Sequence, residues 1–186
     1  MVLPIIAYGD PVLKKRASEL SKDYPALKEL IDNMIETMHH SNGVGLAAPQ
    51  VGLPIRLFVA DGSPFEEEEE GLKDFKQVFI NPVIRQERGE PWKFNEGCLS
   101  IPGIREDVAR KDEVIIEYVD ANWQPRRETY RGIAARIIQH EYDHLEGVLF
   151  VDRISPLRKR LLKNRLADIS RGIVDVDYKM KFPVKK

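Results

Sequence analysis

A chain of 186 residues with 42% hydrophobic residues and a formal net charge of −1 can bury one sizeable core, and its composition does not indicate two domains. No apolar stretch reaches membrane-spanning length, and the first residues, MVLPIIAYGD, lack the basic and apolar regions of a secretory signal. The single cysteine excludes an internal disulfide. We therefore expect one domain over residues 1–186, located in the cytoplasm.

The first predicted element is a helix that starts at Leu27. Its apolar positions recur at helical spacing, and the polar sequence HHSNG ends it. Four runs rich in β-branched or aromatic residues then predict strands: LPIRLFVA, QVFINPVI, DEVIIEYVD and WQPRRETY. Residues 61–76 lie between the first two runs and contain five consecutive glutamates. Because these carboxylates repel one another, we expect an exposed acidic loop.

A second helix is predicted for the sequence IIQHEYDHLEG, with Gly132 at its entrance and Gly147 at its end. Its two histidines share one stripe with Ile133 and Ile137, which is typical of a buried helix. The short apolar run VLFVD follows and is expected to be a remnant of the sheet.

The last predicted element is a terminal helix, opened by a Ser155 cap and a first-turn Pro156. Its inner side is expected to carry Leu157, Leu161, Leu162, Leu166 and Ile169. Residues 171–186 follow as a C-terminal tail. This order of elements predicts an α+β fold, in which a mostly antiparallel sheet packs around a central HExxH helix with N-terminal and C-terminal helices beside it.

The HExxH pattern is formed by His140, Glu141 and His144. Residues four apart lie on one face of a helix, so the two imidazoles can bind one metal ion. The carboxylate of Glu141 can stand beside that ion without ligating it and exchange protons with a bound water. The pattern indicates a metal-dependent hydrolase, but it is not sufficient by itself.

A third metal ligand has few candidates. His39 and His40 end the first helix, but adjacent helical residues diverge by about 100° and such positions are commonly solvated. Cys98 lies in NEGCLSIPG, where glycine and proline indicate a bent backbone that presents a side chain. A lone cysteine is most often a small core residue. Beside two histidines, however, a thiolate is a good ligand for zinc or ferrous iron, and three ligands leave one position open for water.

Three motifs together resemble the peptide deformylase family: GVGLAAPQ at 43–50, EGCLS at 96–100 and QHEYDHLEG at 139–147. They occur in the family's order, and the resemblance extends from the first helix through GVLFVD. The acidic loop and the C-terminal tail are not part of it. The small residues of GVGLAAPQ have a second interpretation, in which they only let two backbones pack closely.

The resemblance implies a translation enzyme that removes the formyl group from the N-formylmethionine of nascent polypeptides and releases formate. One divalent metal ion would be held by Cys98, His140 and His144. It is natively Fe²⁺ in many members, with Zn²⁺, Ni²⁺ or Co²⁺ as alternatives on isolation, and a water or hydroxide takes its open position. Glu141 would be the acid–base group. The side-chain amide of Gln50 and the backbone N–H of Leu99 would stabilise the oxyanion.

The resemblance also implies an apolar slot for the methionine side chain, formed by Val44, Phe94, Ile133 and Ile137. The substrate's backbone or far end would be contacted by Gly45 and Arg105. Arg136 departs from an all-apolar wall. Either its stem covers the edge of the pocket while its head reaches water, or the whole side chain faces solvent.

Two other functions are compatible with HExxH. A zinc endopeptidase usually takes its third ligand downstream, where this chain offers only carboxylates such as Glu146 and Asp152. A non-catalytic metal-binding interaction module would require neither Glu141 nor Gln50.

The segment from Ser155 onward is basic, with 10 lysines and arginines against 3 aspartates. Four basic residues lie mostly off the leucine stripe of the terminal helix and are expected to be free to meet a partner: Arg158, Lys159, Lys163 and Arg165. They form either a solvated helix face or a surface for weak, salt-dependent binding to ribosomal RNA. Neither a membrane nor a sequence-specific nucleic acid is expected as a partner.

Overall fold

The computed structural model describes residues 1–183. Its helices are α1 (Leu27–His40), α2 (Gly132–Leu145), α3 (Pro156–Leu161) and α4 (Lys163–Ser170). Its strands are β1 (Ile5–Ile6), β2 (Gly45–Ala47), β3 (Leu57–Asp61), β4 (Lys76–Cys98), β5 (Ile101–Val119), β6 (Pro125–Arg131) and β7 (Met180–Lys181). None of these helices has the length and apolar character needed to cross a membrane.

Five strands form one antiparallel sheet in the order β2-β3-β4-β5-β6. The other two, β1 and β7, form a short parallel pair in which Ile5 lies opposite Met180. This parallel pair joins segments from the two ends of the described chain. The architecture confirms the predicted α+β class with a mostly antiparallel sheet.

The hairpin of β4 and β5 is much longer than the runs that predicted it, because β4 alone spans 23 residues. Gly89 and Pro91 lie inside β4, where the sequence suggests a break. The pairing of β4 with β5 shifts register at four places, and the last of these shifts falls between Glu96 and Cys98. Such bulges bend a strand and redirect its side chains. The hairpin therefore carries Cys98 from the sheet to the side of α2.

Helix α2 is buried along most of its length. Its apolar residues Ile133, Ile137 and Ile138 join Phe58 and Phe79 of the sheet in one cluster. Apolar side chains on more than one side of the helix therefore lose contact with water, as expected of the buried helix that the sequence predicted. The position of α2 in the core gives its polar side chains a fixed and water-poor environment.

The acidic loop is only partly exposed. Four of its five consecutive glutamates face solvent, but Asp61, Gly62, Leu72 and Phe75 are buried, so the prediction of an exposed loop is wrong for those four residues. The remaining glutamate, Glu69, accepts a hydrogen bond of 3.1 Å from the backbone N–H of Ile133. That N–H belongs to the first turn of α2, where it has no partner within the helix and where the helix dipole favours an anion. One glutamate of the run thus caps the HExxH helix.

Two predictions for the end of the chain are wrong. The run VLFVD forms no strand, because Phe150–Asp152 is a 3₁₀ turn that places Phe150 and Val151 in an apolar cluster. The terminal helix is divided into α3 and α4, and Leu157 and Leu161 are 67% and 64% exposed. The helix is interrupted at Leu162, which separates the exposed leucines of α3 from the buried face of α4. The inner side of the terminal region is therefore formed only by Leu162, Leu166 and Ile169.

The basic residues of α3 and α4 were expected to be free, which is wrong for three of the four. Arg158 donates 2.6 Å and 3.2 Å hydrogen bonds to the carboxylate of Glu106, and Lys159 contacts Asp152. Arg165 donates to the backbone carbonyl of Gly103. Glu106 and Gly103 are supplied by distant parts of the chain, so local spacing could not indicate them. Ion pairs, rather than leucines, hold α3 against the body.

The C-terminal tail packs against the body of the protein. Val174, Met180 and Phe182 contact the apolar cluster that contains Ile6 and Leu166. The predicted tail extended to residue 186, and its last part, residues 184–186, lies outside the described residues.

Candidate metal centre and active site

Cys98, His140 and His144 converge on one point. Their ligand atoms all lie within 4.8 Å of one another, and the distance from Cys98 Sγ to His144 Nε2 is 3.4 Å. Helix α2 supplies the two histidines from successive turns, as their spacing predicted. The bulged end of β4 supplies the cysteine.

This donor set fits a divalent transition metal ion. A thiolate and two imidazoles suit zinc or ferrous iron, and three protein ligands leave a coordination position for water or substrate. His39, which was considered as an alternative ligand, instead contacts Asp61 with its Nε2 at 2.8 Å. Within residues 1–183, the cluster of Cys98 and the two α2 histidines is the one that brings three such ligand atoms together.

Glu96 contacts one of the candidate metal ligands, a contact that sequence reasoning missed. Its buried carboxylate lies 2.9 Å from Nδ1 of His140, which leaves Nε2 for the cluster. Burial opposes the charge of Glu96, but hydrogen bonds from His140 and Arg110 hold its pKa well below the usual range. A carboxylate behind a metal-binding histidine fixes the ring and raises its basicity. The only signal in the sequence was the position of Glu96 at the start of EGCLS.

Arg136 is not exposed to solvent, although both expectations for that residue placed its guanidinium in water. It is 2% exposed, but it is among the residues that line the adjoining cavity, so its expected place at the pocket edge is correct. It donates hydrogen bonds of 2.8 Å to Glu96 and 2.6 Å to the Trp92 carbonyl. Its Cζ also lies 4.7 Å from the centroid of the Trp92 ring, within cation–π range. An anion and an aromatic face from β4 therefore offset part of the cost of burying this cation, although burial still lowers the pKa of Arg136.

Glu141 is buried beside the cluster, and its Oε2 has no hydrogen-bond partner among the described residues. Burial raises the pKa of Glu141 to about 7, against the opposing effect of His140. Gly45 packs directly over this carboxylate: a Cβ atom at Gly45 would lie 2.4 Å from Oε1. The small residue at Gly45 therefore makes room for the side chain of Glu141 and not for a second backbone, as the close-packing interpretation of GVGLAAPQ had it.

Gln50 approaches the cluster from the 3₁₀ turn at Ala48–Val51. Its Nε2 lies 3.4 Å from Cys98 Sγ and 3.2 Å from Ser100 Oγ, while its Oε1 accepts a 2.9 Å hydrogen bond from the Ala47 N–H. The amide orientation is therefore set by the protein, with its donor end toward the cluster. Leu99 follows Cys98 in the turn between β4 and β5.

A cavity of about 850 Å³ opens onto these groups. Its size lies within the range of small-ligand sites. The sequence-predicted residues that line it are Val44, Gly45, Gln50, Phe94, Cys98, Leu99, Arg105, Ile137, His140 and Glu141. His144 is completely buried behind the cavity. Ile133 does not line it and lies instead in the adjoining apolar cluster.

Several parts of the cavity wall were not predicted, among them residues 101–104 at the start of β5. Pro64 and Phe65 come from the segment after β3, which was expected to be a solvated loop. Residues 175–178 come from the C-terminal tail. The tail has no motif that marks it as part of a site, because its position depends on the pairing of β1 with β7.

Comparison with known proteins agrees with these observations. The family model described as Polypeptide deformylase matches residues 2–160. The chain is 59% identical over 193 residues to a peptide deformylase of Christiangramia forsetii, with 100% of this chain and 98% of that protein covered. It is 52% identical over 186 residues to one of Cytophaga hutchinsonii, with both chains completely covered.

The chain is also similar to solved structures of peptide deformylases. A peptide deformylase from Thermotoga maritima is 42% identical and superimposes with a TM-score of 0.75, covering 84% of this chain and 99% of that one. A plant peptide deformylase is 34% identical with a TM-score of 0.81, covering 95% of this chain and 96% of that one.

Proposed function

We propose roles for individual residues on the premise that the chain belongs to the polypeptide deformylase family. The protein is a hydrolase of protein biosynthesis that removes the formyl group from the N-formylmethionine of newly synthesised polypeptides. The zinc endopeptidase and the non-catalytic module, both compatible with HExxH alone, are set aside by this family membership. The family is metal-dependent, and the Cys/His/His cluster is the observation that carries the proposal.

Cys98, His140 and His144 hold one divalent metal ion in this proposal. We propose Fe²⁺ as the native ion, with Zn²⁺, Ni²⁺ or Co²⁺ as alternatives on isolation, since a mixed thiolate and imidazole set accepts all of them. When bound, the ion polarises the formyl carbonyl and lowers the pKa of a water molecule. Glu96 keeps the ring of His140 in the orientation that presents Nε2, which its 2.9 Å contact with Nδ1 supports.

Glu141 transfers the proton. Its carboxylate accepts a proton from the attacking water and then donates it to the amine that leaves from the formyl carbon. Two observations support this role: the residue follows a metal ligand directly on α2, and one carboxylate oxygen is free of protein partners among the described residues. Gly45 leaves room for this carboxylate beside the cavity.

Gln50 and Leu99 stabilise the negative oxygen that develops as the formyl carbon is attacked. Donors that are fixed before reaction where charge develops are worth about 3 kcal/mol each in comparable sites. The Gln50 amide is fixed because its oxygen accepts from the Ala47 N–H and its nitrogen faces Cys98 and Ser100. The backbone N–H of Leu99 is the second donor, at the next residue after the ligand Cys98.

The methionine side chain occupies the apolar part of the cavity, between Val44, Phe94 and Ile137. Ile133 supports Ile137 from the core side, one helical turn away, without lining the cavity. The remainder of the peptide passes Gly45 and Arg105. Arg105 is held at the cavity mouth by hydrogen bonds of 2.9 Å and 2.8 Å to Asn95.

We further propose that the enzyme acts in the cytoplasm on chains that emerge from the ribosome. A ribosome contact would have to use fewer cations than the sequence suggested, because Arg158, Lys159 and Arg165 are engaged within the protein. Arg160 and Lys163 are exposed and remain as candidates for weak contacts with RNA phosphates. Cosedimentation at low and moderate salt, comparing the unaltered chain with an Arg160→Glu, Lys163→Glu variant, tests this contact; equal sedimentation of both would contradict it.

The proposed activity and cofactor are tested together by anaerobic purification. The sample is divided between metal analysis and a formate assay with a formyl-Met peptide. The expected result is one divalent ion per chain, and formate release that a chelator stops and Fe²⁺ restores. Turnover by metal-free protein would refute the assigned chemistry.

A further inference from the structure

The turn formed by Leu99 and Ser100 is held by both ends of the described chain. The backbone N–H of Tyr8 donates a 2.9 Å hydrogen bond to the Ser100 carbonyl. The hydroxyl of Tyr178 donates a 2.8 Å hydrogen bond to the Leu99 carbonyl. Tyr8 follows β1 by two residues and Tyr178 precedes β7 by two, so the parallel pair of β1 and β7 carries both contacts.

The same turn is adjacent to the reacting groups. Leu99 follows the ligand Cys98, and the side chain of Ser100 is 3.2 Å from Nε2 of Gln50. Tyr178 lines the cavity together with Gln50, Cys98 and Leu99, and it packs at the edge of an apolar cluster that also contacts Leu99. The tail therefore reaches the active site through an oriented hydrogen bond as well as through packing.

We infer that Tyr178 is a positioning residue of the reaction: by holding the Leu99 carbonyl, it fixes the backbone that presents the Leu99 N–H to the developing oxyanion. This inference rests on the proposed role of Leu99. Fixing the carbonyl of a turn residue restricts its backbone dihedrals, and a preorganised donor stabilises a transition state without reorganising during the reaction. Tyr178 lies beyond residues 2–160, which the family model matches.

Two substrates separate positioning from simple anchoring of the tail. A formyl-Met peptide develops negative charge on oxygen, whereas its N-thioformyl analogue develops it on sulfur, a weak hydrogen-bond acceptor. We expect Tyr178→Phe to lower kcat on the formyl peptide about fivefold, the rate equivalent of one neutral hydrogen bond, with KM changed less than about twofold. On the thioformyl peptide the same variant should lose less than about twofold.

Controls make each outcome decisive. Tyr24→Phe removes the hydroxyl of another partly buried tyrosine of the same apolar cluster and should leave kcat unchanged on both substrates. Metal content and melting temperature are measured for every variant, so that loss of folding is detected. Equal losses of Tyr178→Phe on both substrates, a change in KM alone, or no change would overturn the inference.

A Gln50→Leu variant distinguishes failure of this inference from failure of the proposed oxyanion site. If Gln50→Leu is slowed on the formyl peptide far more than on the thioformyl peptide while Tyr178→Phe is not, the oxyanion site stands and the role of Tyr178 is refuted. If neither variant distinguishes the substrates, the proposed oxyanion site itself is wrong, and the inference falls with it.

Discussion

Glu96 and His140 form a buried hydrogen-bonded pair, with 2.9 Å between Oε1 of the carboxylate and Nδ1 of the imidazole. The other oxygen of Glu96 accepts a 2.8 Å hydrogen bond from Arg136. One carboxylate thus connects His140, a proposed metal ligand of α2, with the aromatic wall that Arg136 stacks against. Orientation of the ligand and packing of the cavity wall depend on the same anion.

The first prediction concerns this carboxylate. Glu96→Gln removes the anion while keeping the shape of the side chain, so His140 loses its charged acceptor. We expect metal affinity to fall about 10- to 100-fold, as for other carboxylates behind metal-binding histidines. Competition with a chelator of known affinity measures the change. The orienting role is refuted if the variant binds metal as tightly as the unaltered protein.

The second prediction compares two ion pairs. Arg136→Met leaves Glu96 with one cation fewer in a buried environment, and it should lower the free energy of unfolding by about 3 kcal/mol. Arg85→Met breaks the exposed pair with Glu117 and should cost less than about 1 kcal/mol. Urea unfolding of both variants provides the comparison. Equal losses of unfolding free energy in the two variants would show that the buried Arg136 pair stabilises the protein no more than the exposed Arg85 pair.

Much of the site could be predicted from the sequence, because its main residues lie in short sequence motifs. The HExxH spacing places His140 and His144 on one face of a helix whatever surrounds them. The environment of Arg136 could not be predicted, because Glu96 and Trp92 reach it only through the bulged β4. Leu157 was misplaced for a similar reason: the break between α3 and α4 at Leu162 is not visible in the spacing of leucines.

The part of the cavity wall formed by residues 175–178 could not be predicted from the sequence either. Its position follows from the pairing of β1 with β7, two strands of two residues each at opposite ends of the described chain. Such short strands have no period that a sequence can reveal. Contacts of this kind are set by the whole fold and leave no local motif.

The third prediction concerns the space over the acid–base group. A Cβ atom introduced by Gly45→Ala would lie 2.4 Å from Oε1 of Glu141, so the carboxylate must move. We expect kcat to fall at least about 10-fold while metal content is kept, since displacement of a catalytic group by about 1 Å is costly. Gly71→Asn is a suitable control, because no atom lies within 4 Å of a Cβ there and asparagine tolerates its positive φ. Full activity of the Gly45→Ala protein would show that the close contact is irrelevant.

The fourth prediction concerns the acyl group. The formyl carbon carries only hydrogen, so Gln50 and Leu99 can approach its oxygen closely, and an added methyl group should clash in the geometry of attack. We expect kcat/KM for an acetyl-Met peptide to be lower by at least about 100-fold than for the formyl peptide. Parallel assays of both peptides provide the ratio, and comparable rates would contradict the crowded arrangement.

The most direct measurement is metal content and turnover in two matched variants, Cys98→Ala and Glu141→Gln. The account assigns Cys98 to the metal and Glu141 to the proton, although both lie at the same cavity. Cys98→Ala should therefore lose tight metal binding together with activity. Glu141→Gln should retain one metal ion per chain and lose most of its turnover. Full metal content in the Cys98→Ala protein, or near-normal formate release by the Glu141→Gln protein, would contradict this division of roles.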